Sequence, residues 1–280
     1  MKRPAKNDTS LRTFPGPLLL LGAGKMGAAM LEGWLKRGLA PGKLIVFEPQ
    51  AGKAVKGLSR RGLKLNPKGK AATAAAIVIA VKPQSAPAAV PSVAAHVGKS
   101  TLVLSIMAGR TLRFLQSTLP VGTAIVRAMP NTPAAIGRGI TVAVGNAKVS
   151  ARQRKQASDL LAAIGAVEWT SDENIMDAVT AVSGSGPAYV FLLAEAMTKA
   201  GIAAGLPAPL AARLARETVA GSGELLHRSD LDAATLRQNV TSPGGTTAAA
   251  LEVLMGPGGF DELLTKAIAA ATRRGRELAG

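Results

Sequence analysis

Residues 18–27 read Leu-Leu-Leu-Leu-Gly-Ala-Gly-Lys-Met-Gly, and this stretch decides the fold. The short apolar run predicts a buried strand, and a helical pattern follows it over residues 26–37. Between them, the first glycine permits a tight turn, the second lets the backbone approach a pyrophosphate, and the third lets helix and strand pack closely. Phosphates would bind the free N–H groups at the helix N-terminus. A glycine-rich turn without a ligand is the alternative. The predicted cofactor-binding residues of this loop are Gly22, Gly24, Lys25, Met26 and Gly27.

Glu48 is the first indication of which dinucleotide is used. It follows a second apolar run at residues 43–47, roughly twenty residues after Gly27. A carboxylate at this place can accept hydrogen bonds from the adenosine ribose hydroxyls, which favours NAD over NADP. A 2′-phosphate would instead require Arg, Lys or Ser, and the nearby Lys53 and Lys56 keep NADP open. A solvent-facing Glu at a strand end is the structural alternative.

Short apolar runs alternate with longer amphipathic ones as far as Trp169, which predicts βα units and a parallel sheet. Pro83, Pro87 and Pro91 interrupt one connection, so we expect only a short helix or turns there. Residues 139–144 are predicted to form an edge strand. The other predicted strands cover residues 43–47, 76–81, 101–106, 123–128 and a last run ending near Trp169, and a helix is predicted over residues 149–164.

The pattern changes after Ser171, where strand signals stop and Ala, Leu, Glu and Arg recur at helical spacing. Apolar residues surround most of the helix predicted over residues 189–204, so we expect it to be buried against other helices or against a second copy of the chain. The predicted domains are a disordered basic tail (1–16), a dinucleotide-binding domain (17–170) and a helical domain (171–280). The predicted helices of the last domain cover residues 172–182, 189–204, 209–226, 246–255 and 260–277.

Three later loops follow predicted strands, at residues 80–84, 105–109 and 127–133. Ligands bind outside the carboxyl ends of the strands in an open parallel sheet, so these loops should border one crevice together with the glycine loop. Prolines on both sides of Asn131 stiffen the last of them, and a rigid loop can position a nicotinamide ring. A tight turn with no ligand is the alternative for that loop.

Two glycine-rich segments, residues 183–189 and 241–247, each precede a predicted helix. Small residues with free N–H groups and hydroxyls at a helix start form an anion site that suits a carboxylate. N-capping by Ser or Thr accounts for part of the pattern. Capping does not explain Gly244 and Gly245, because glycines cost backbone entropy on folding and do not make a better cap.

The composition excludes several kinds of site. The 280 residues are 48% hydrophobic and 18% charged, which predicts a globular chain. The absence of Cys excludes disulfides, thiolate metal sites and a cysteine nucleophile. His96 and His227 are the only histidines, and we interpret each as a surface or capping residue; no metal site is expected and a His-centred triad is disfavoured.

The net charge of +17 favours acidic small molecules or nucleic acid as partners. Because the basic residues are scattered and aromatic residues are only 3% of the chain, a nucleic-acid surface is disfavoured. The first sixteen residues lack the apolar core of a signal peptide, and no apolar run reaches the length of a membrane span. We therefore expect a cytoplasmic protein with no membrane partner.

Five motifs, in this order and spacing, resemble those of the pyrroline-5-carboxylate reductase family. They are Gly-Ala-Gly-Lys-Met-Gly at 22–27, Ala-Val-Lys-Pro-Gln at 80–84, Arg-Ala-Met-Pro-Asn-Thr-Pro at 127–133, Ala-Val-Ser-Gly-Ser-Gly-Pro-Ala-Tyr at 181–189 and Val-Thr-Ser-Pro-Gly-Gly-Thr-Thr at 240–247. The likeness covers residues 18–277, and the last motif is the most specific. Glu48 departs from the small polar residue that NADP-preferring relatives often show.

The resemblance implies an α/β fold, with an N-terminal Rossmann-like doubly wound sheet followed by an all-α C-terminal dimerisation domain. It also implies reduction of 1-pyrroline-5-carboxylate to L-proline by NADPH or NADH, the last step of proline biosynthesis, in dimers that commonly form a decamer. Thr247, near the ring nitrogen, is the implied catalytic residue. The implied cofactor contacts are Val81, Lys82, Pro83, Met107, Ala108 and Asn131, and the implied substrate contacts are Asp230, Ser242, Gly244, Gly245, Thr246 and Thr247.

The shortage of His, Cys and paired carboxylates agrees with this chemistry. A protonated cyclic imine is already electrophilic, so its reduction needs orientation and an anion anchor more than a strong protein acid. The alternative is another NAD(P)-dependent dehydrogenase or imine reductase of the 3-hydroxyacid dehydrogenase-like architecture, with a lysine acid/base. Lys199 lies about three turns beyond Gly186, which counts against it. A nucleotide-sensing or nucleic-acid-binding protein without enzyme activity is the third hypothesis.

Overall fold

The structure, a computed structural model, describes residues 10–69 and 72–279, which divide into two compact units. The sheet unit contains the described residues up to Gly184 together with those from Thr272 onward. The helical unit is Ser185–Ala271. The last helix therefore contributes residues to both units.

The sheet unit is built on eight strands in the order β3-β2-β1-β4-β5-β6-β7-β8. Strands β1 to β6 run parallel, with the order reversal of a doubly wound sheet between β1 and β4, which confirms the predicted α/β fold class. The strands are β1 (Leu18–Leu21), β2 (Leu44–Phe47), β3 (Lys64–Leu65), β4 (Ala76–Ile79), β5 (Leu102–Ser105), β6 (Ala124–Met129), β7 (Gly139–Gly145) and β8 (Gly165–Trp169).

The four leucines of β1 show why the strand is apolar throughout. Leu18 and Leu20 pack into one core layer, and Leu19 and Leu21 pack into the other, on the opposite face of the sheet. A parallel strand is covered on both faces, so every position must be apolar. The helices of this unit are α1 (Lys25–Lys36), α2 (Lys53–Ser59), α3 (Ala86–Ala89), α4 (Leu112–Thr118), α5 (Ala151–Leu161) and α6 (Met176–Val179).

The prediction that residues 139–144 form an edge strand is wrong. β7 is paired on both sides, antiparallel to β6 and parallel to β8. The chain between β6 and β7 holds only the short 3-10 turn Thr132–Ile136. A parallel return needs a crossover of about a dozen residues or more, so the chain reverses direction here.

Two further expectations for this unit need correction. Residues 1–9 of the predicted tail lie outside the described residues, but Leu11 and Phe14 are buried in the core, and the Leu11 N–H donates to the Arg37 carbonyl. The predicted disordered tail therefore does not extend to residue 16, because these two apolar side chains are part of the core. His96 is also buried rather than on the surface, with its Nδ1 2.8 Å from the Ala72 carbonyl oxygen.

The helix predicted over residues 172–182 takes a different form. A 3-10 turn, Glu173–Ile175, leads into α6, and a π-helical turn, Thr180–Gly184, follows. The Ser183 hydroxyl donates to the Val179 carbonyl inside that turn, at 2.9 Å. The Ser183 hydroxyl is therefore bonded within the π-helical turn, whereas Ser185 is the N-cap of α7 and its side chain makes no capping hydrogen bond.

The helical unit contains α7 (Gly186–Ala203), α8 (Ala208–Arg228), α9 (Ala233–Asn239), α10 (Thr246–Met255) and the first part of α11 (Phe260–Ala279). Of these, only α9 is absent from the sequence-based prediction. Helix α7 is not buried in a single chain, since Phe191 is 69% and Leu192 61% exposed. Among the described residues, no helix combines the length and the apolar character that crossing a membrane requires.

Candidate active site

A cleft of about 750 Å³ opens where β1, β2 and β4 end at their carboxyl edge. The order of the sheet reverses between β1 and β4, and this is where ligands bind in doubly wound folds. The cleft brings together five of the predicted cofactor residues: Gly22, Gly24, Glu48, Val81 and Lys82.

The three glycines of the first motif meet different surroundings. Gly22 has φ +91°, and a Cβ atom there would lie 2.8 Å from the Ala80 carbonyl oxygen. A Cβ atom at Gly27 would overlap the carbonyl oxygen of Gly22. A Cβ atom at Gly24 would meet no protein atom within 4 Å. The first and third glycines thus serve the packing of the protein, whereas the second borders space that no protein atom occupies.

The N-terminus of α1 is suited to an anion. Gly24 is the N-cap, no side chain caps the helix, and no acidic residue lies in its first turn. The N–H groups and the helix dipole therefore remain directed at the cleft side of the loop. Lys25 and Met26 form the first turn itself, and Lys25 is exposed.

Glu48 is held in place at the end of β2. One of its carboxylate oxygens accepts the Ala23 N–H at 2.8 Å, and the other accepts the Gln50 N–H at 2.9 Å. The Asn66 side chain fixes the backbone of Glu48, accepting its N–H at 2.9 Å and donating to its carbonyl at 3.0 Å. Sequence reasoning missed Asn66, although the Asn-Pro pair at 66–67 is a turn signal.

The predicted cofactor residues of the later loops that remain follow β4, β5 and β6 at the same edge but do not line this cleft. Pro83 accepts a hydrogen bond from Arg110 Nε at 3.0 Å, and Arg110 lies 4.8 Å from the ring centroid of Phe114. Met107 is 2% exposed, so its side chain belongs to the core. Asn131 Oδ1 accepts the Ile140 N–H at 3.0 Å, which ties its loop to β7. Ala108 directly follows Met107.

A partly buried ion pair that sequence reasoning missed braces these loops. Arg127 of β6 is paired with Glu173, with 2.8 Å between Arg127 Nη1 and Glu173 Oε1. The same Glu173 oxygen accepts the Leu112 N–H at 2.8 Å. One carboxylate thus connects the end of β6 with the start of α4. No local pattern signals a pair separated by this much sequence.

The second glycine-rich segment forms a turn before α10. Gly244 has φ +68°, the Gly245 N–H donates to the Ser242 carbonyl at 3.0 Å, and Gly245 is the N-cap. No side chain caps α10, and the Thr241 hydroxyl donates instead to the Arg237 carbonyl. The expectation that Ser or Thr partly caps this helix is therefore wrong. This single turn and the helix start bring together Ser242, Gly244, Gly245, Thr246 and Thr247.

Two acidic residues lie before α9. Asp230 is exposed in the connection from α8. Asp232 is the N-cap of α9 and accepts the Thr235 N–H at 2.8 Å, and this hydrogen bond lowers the pKa of its carboxyl group. Asp232 therefore has a structural role that sequence reasoning did not foresee.

Lys199 does not support the alternative of a lysine acid/base. Its ammonium group lies 2.7 Å from Glu195 Oε1, one turn away on the exposed surface of α7. The hydrogen bond from Lys199 lowers the pKa of the Glu195 carboxyl group. Lys199 thus takes part in an ordinary surface ion pair of a helix.

Comparisons with known proteins agree with this architecture. Residues 173–278 match the family model described as pyrroline-5-carboxylate reductase dimerisation, and residues 18–109 match the model described as NADP oxidoreductase, coenzyme F420-dependent. The chain is 39% identical to the pyrroline-5-carboxylate reductase of Pseudomonas aeruginosa, covering 94% of this chain and 96% of that protein. It is also 39% identical to the Synechocystis enzyme, over 92% and 97% of the two chains.

The solved structures show the same relationship. A pyrroline-5-carboxylate reductase from Coxiella burnetii superposes with a TM-score of 0.86 at 33% identity, covering 95% of this chain and 99% of that one. The Plasmodium falciparum enzyme, determined with NADP bound, gives a TM-score of 0.79 at 29% identity, covering 95% and 99%. Sequence identity over nearly the whole chain and the shared fold establish that the chain belongs to the pyrroline-5-carboxylate reductase family.

Proposed function

We propose that this chain reduces 1-pyrroline-5-carboxylate to L-proline, the last step of proline biosynthesis, with NADH or NADPH as reductant. The observation that carries the proposal is the 39% identity to a reductase of this name over nearly the full length of both chains. The cleft at the glycine loop and the uncapped turn before α10 supply sites for the two reactants.

The chemistry requires little from acidic or basic side chains. A bound reduced nicotinamide supplies a hydride, and the protonated imine carbon is electrophilic enough to accept it. The protein must then hold two molecules in a productive orientation. Backbone N–H groups and hydroxyls suit that task, and they dominate both candidate segments.

The cofactor would bind along the carboxyl edge of the sheet. The pyrophosphate would lie beside Gly24, whose missing side chain leaves the necessary space, and would bind the N–H groups at the start of α1. Lys82, which follows β4, lines the same cleft as Glu48 and supplies a positive charge there. The loops bearing Pro83, Met107, Ala108 and Asn131 would position the nicotinamide.

The substrate carboxylate would bind at the turn that precedes α10. The helix has a glycine N-cap and no capping side chain, so its first N–H groups are available to an anion. The hydroxyls of Ser242, Thr246 and Thr247 add further donors, and Thr247 would face the ring nitrogen. Asp230 would approach the same substrate from the connection before α9.

Self-association completes the proposal. The match of residues 173–278 to a dimerisation model and the exposed apolar side chains of α7 support a homodimer, with dimers assembling into a decamer as the larger assembly. We also expect the protein to act in the cytoplasm.

The test is direct. The purified full-length protein is mixed with pyrroline-5-carboxylate and with NADH or NADPH in turn, and the loss of reduced-nicotinamide absorbance is compared with proline formed. Equal amounts of nucleotide consumed and proline produced are expected. Turnover of a 3-hydroxyacid with the oxidised nucleotide, and none with the imine, would instead establish the alternative dehydrogenase.

A further inference from the structure

The end of β2 carries more side-chain hydrogen bonds than are needed to end a strand. The carboxylate of Glu48 accepts the Ala23 N–H at 2.8 Å and the Gln50 N–H at 2.9 Å. Ala23 lies between the first two glycines of the phosphate loop. The network therefore joins the candidate ribose site directly to the candidate pyrophosphate site.

Asn66 holds the backbone of Glu48 from the other side. Its amide makes two hydrogen bonds to Glu48, at 2.9 and 3.0 Å, and its own N–H donates to the Val46 carbonyl at 2.8 Å. Asn66 has φ +44°, a left-handed conformation that a non-glycine residue adopts at a cost. The side-chain bonds to Glu48 compensate for that conformation. Asn66 is thus a positioning residue for Glu48.

The charges around the cleft favour one ligand. Glu48 and Lys82 are its only charged lining residues among the described part of the chain, and Lys82 belongs to the β4 side. Lys53 and Lys56, which could have neutralised a 2′-phosphate, lie exposed on α2 and do not line the cleft. A 2′-phosphate beside Glu48 would face a fixed negative charge without a lining cation on that side.

We propose that Glu48, held by Asn66 and the Ala23 N–H, makes this chain select NADH over NADPH. The inference rests on the proposed function, because it needs the dinucleotide in this cleft. The fixed carboxylate accepts the two ribose hydroxyls of NADH. It repels the 2′-phosphate of NADPH, and it can move away only by breaking its hydrogen bonds to the backbone.

The test measures binding as well as turnover. Dissociation constants for NADH and NADPH are obtained by calorimetry on the full-length protein, and again with ADP-ribose and 2′-phospho-ADP-ribose, which cannot be reduced or oxidised at a nicotinamide. We expect the wild type to bind the unphosphorylated member of each pair more tightly by roughly 30- to 100-fold. This is the size expected for repulsion between one carboxylate and one phosphate at a partly solvated site.

Three variants separate the parts of the network. Glu48→Gln keeps the shape and removes the charge, so the preference should fall about tenfold or more, mainly through tighter NADPH binding. Asn66→Gly accommodates the positive φ without strain and removes the amide, so the preference should fall while the melting temperature changes little. Glu32→Gln is the matched control: Glu32 is an exposed acid of α1, paired with Lys36, and its loss changes the net charge equally. It should leave the preference unchanged.

The outcomes also separate this inference from the proposed function. Equal affinity of the wild type for both nucleotides, or an unchanged ratio in Glu48→Gln, overturns the inference even when imine reduction is normal. A clear NADH preference without any imine reduction upholds the inference and rejects the proposed substrate. If the NADH preference falls as much in Glu32→Gln as in Glu48→Gln, the preference depends on net charge alone. That result would overturn the role of Glu48.

Discussion

We expect Gly24 to serve ligand binding and not folding, because a side chain there would meet no protein atom, in contrast to the other two glycines of its motif. We expect Gly24→Ala to weaken NADH binding at least about tenfold, because the added methyl group occupies the space left for the pyrophosphate. Thermal stability should change little, since the methyl group meets no protein atom within 4 Å. Calorimetric titration and a thermal unfolding curve measure the two effects.

Gly52 provides the matched control for this substitution. It is also a helix N-cap, with φ −69° against −65° at Gly24, and its Cβ atom would likewise meet open space. Gly52→Ala should therefore change stability equally and leave NADH affinity unaltered. Unchanged nucleotide binding in Gly24→Ala would remove the glycine loop from the cofactor site.

Thr247 is expected to act on the substrate and not on the nucleotide. Thr247→Ala should lower kcat/KM for the imine by about 10- to 1000-fold, the range found when one positioned donor is lost. NADH affinity should remain as in the wild type. The control is Thr265→Ala, an exposed threonine of α11 whose hydroxyl donates to the Asp261 carbonyl. An equal loss of nucleotide affinity in Thr247→Ala would contradict the substrate assignment.

At the scale of residues, the sequence predicted positions that belong to a local pattern. Glu48 was predicted because it follows a strand at a set distance from the glycine loop, and the structure places both in one cleft. Asn66 and the Arg127–Glu173 pair were not predicted, because their contacts join residues far apart in the chain. Such contacts are set by the topology of the sheet.

At the scale of elements, helix α1 is attached to α5 by Trp34. This side chain is fully buried, and its indole N–H donates to the Leu160 carbonyl at 2.9 Å. Trp34→Ala should lower the free energy of unfolding by about 3–5 kcal/mol through the cavity it leaves. Trp34→Phe should cost about 1–3 kcal/mol, because the Leu160 carbonyl loses its buried partner. Urea unfolding measures both.

Trp169 is the control for the indole bond. Its N–H donates to the Ser158 hydroxyl at 2.9 Å, in a partly buried position where water can replace it. Trp169→Phe should therefore cost less than Trp34→Phe. An equal cost for the two substitutions would show that the buried bond is not what holds α1.

Long elements with a regular apolar period were predicted within a few residues, as for α1, α8 and α10. Short elements were missed. Helices α2 and α9 have about two turns each and strand β3 has two residues, which is too short for a repeating pattern of apolar residues to be recognised. The reversal at β7 was missed for a different reason. Strand direction depends on the length of the crossover, and the apolar run at 139–145 is the same in either direction.

At the scale of the whole molecule, the exposed apolar residues of α7 predict self-association. Phe191→Asp should shift the protein toward smaller species, because a charge replaces an apolar side chain that is 69% exposed in the single chain. Sedimentation velocity across a concentration series measures the shift. Val121→Asp is the control, on a fully exposed residue of the sheet unit. A wild type that sediments as a monomer at all concentrations would contradict the prediction.

The path of α11 has a consequence for biosynthesis. Its residues from Thr272 onward group with the sheet unit, and Gly275 approaches Asp177 so closely that a Cβ atom would lie 3.3 Å from the Asp177 carboxyl side chain. A ribosome makes β1 long before it makes Gly275, with the whole helical unit between them. The nascent sheet unit must therefore wait for this part of α11 before its packing is complete, and a message truncated before Thr272 would release a protein with this unit unfinished.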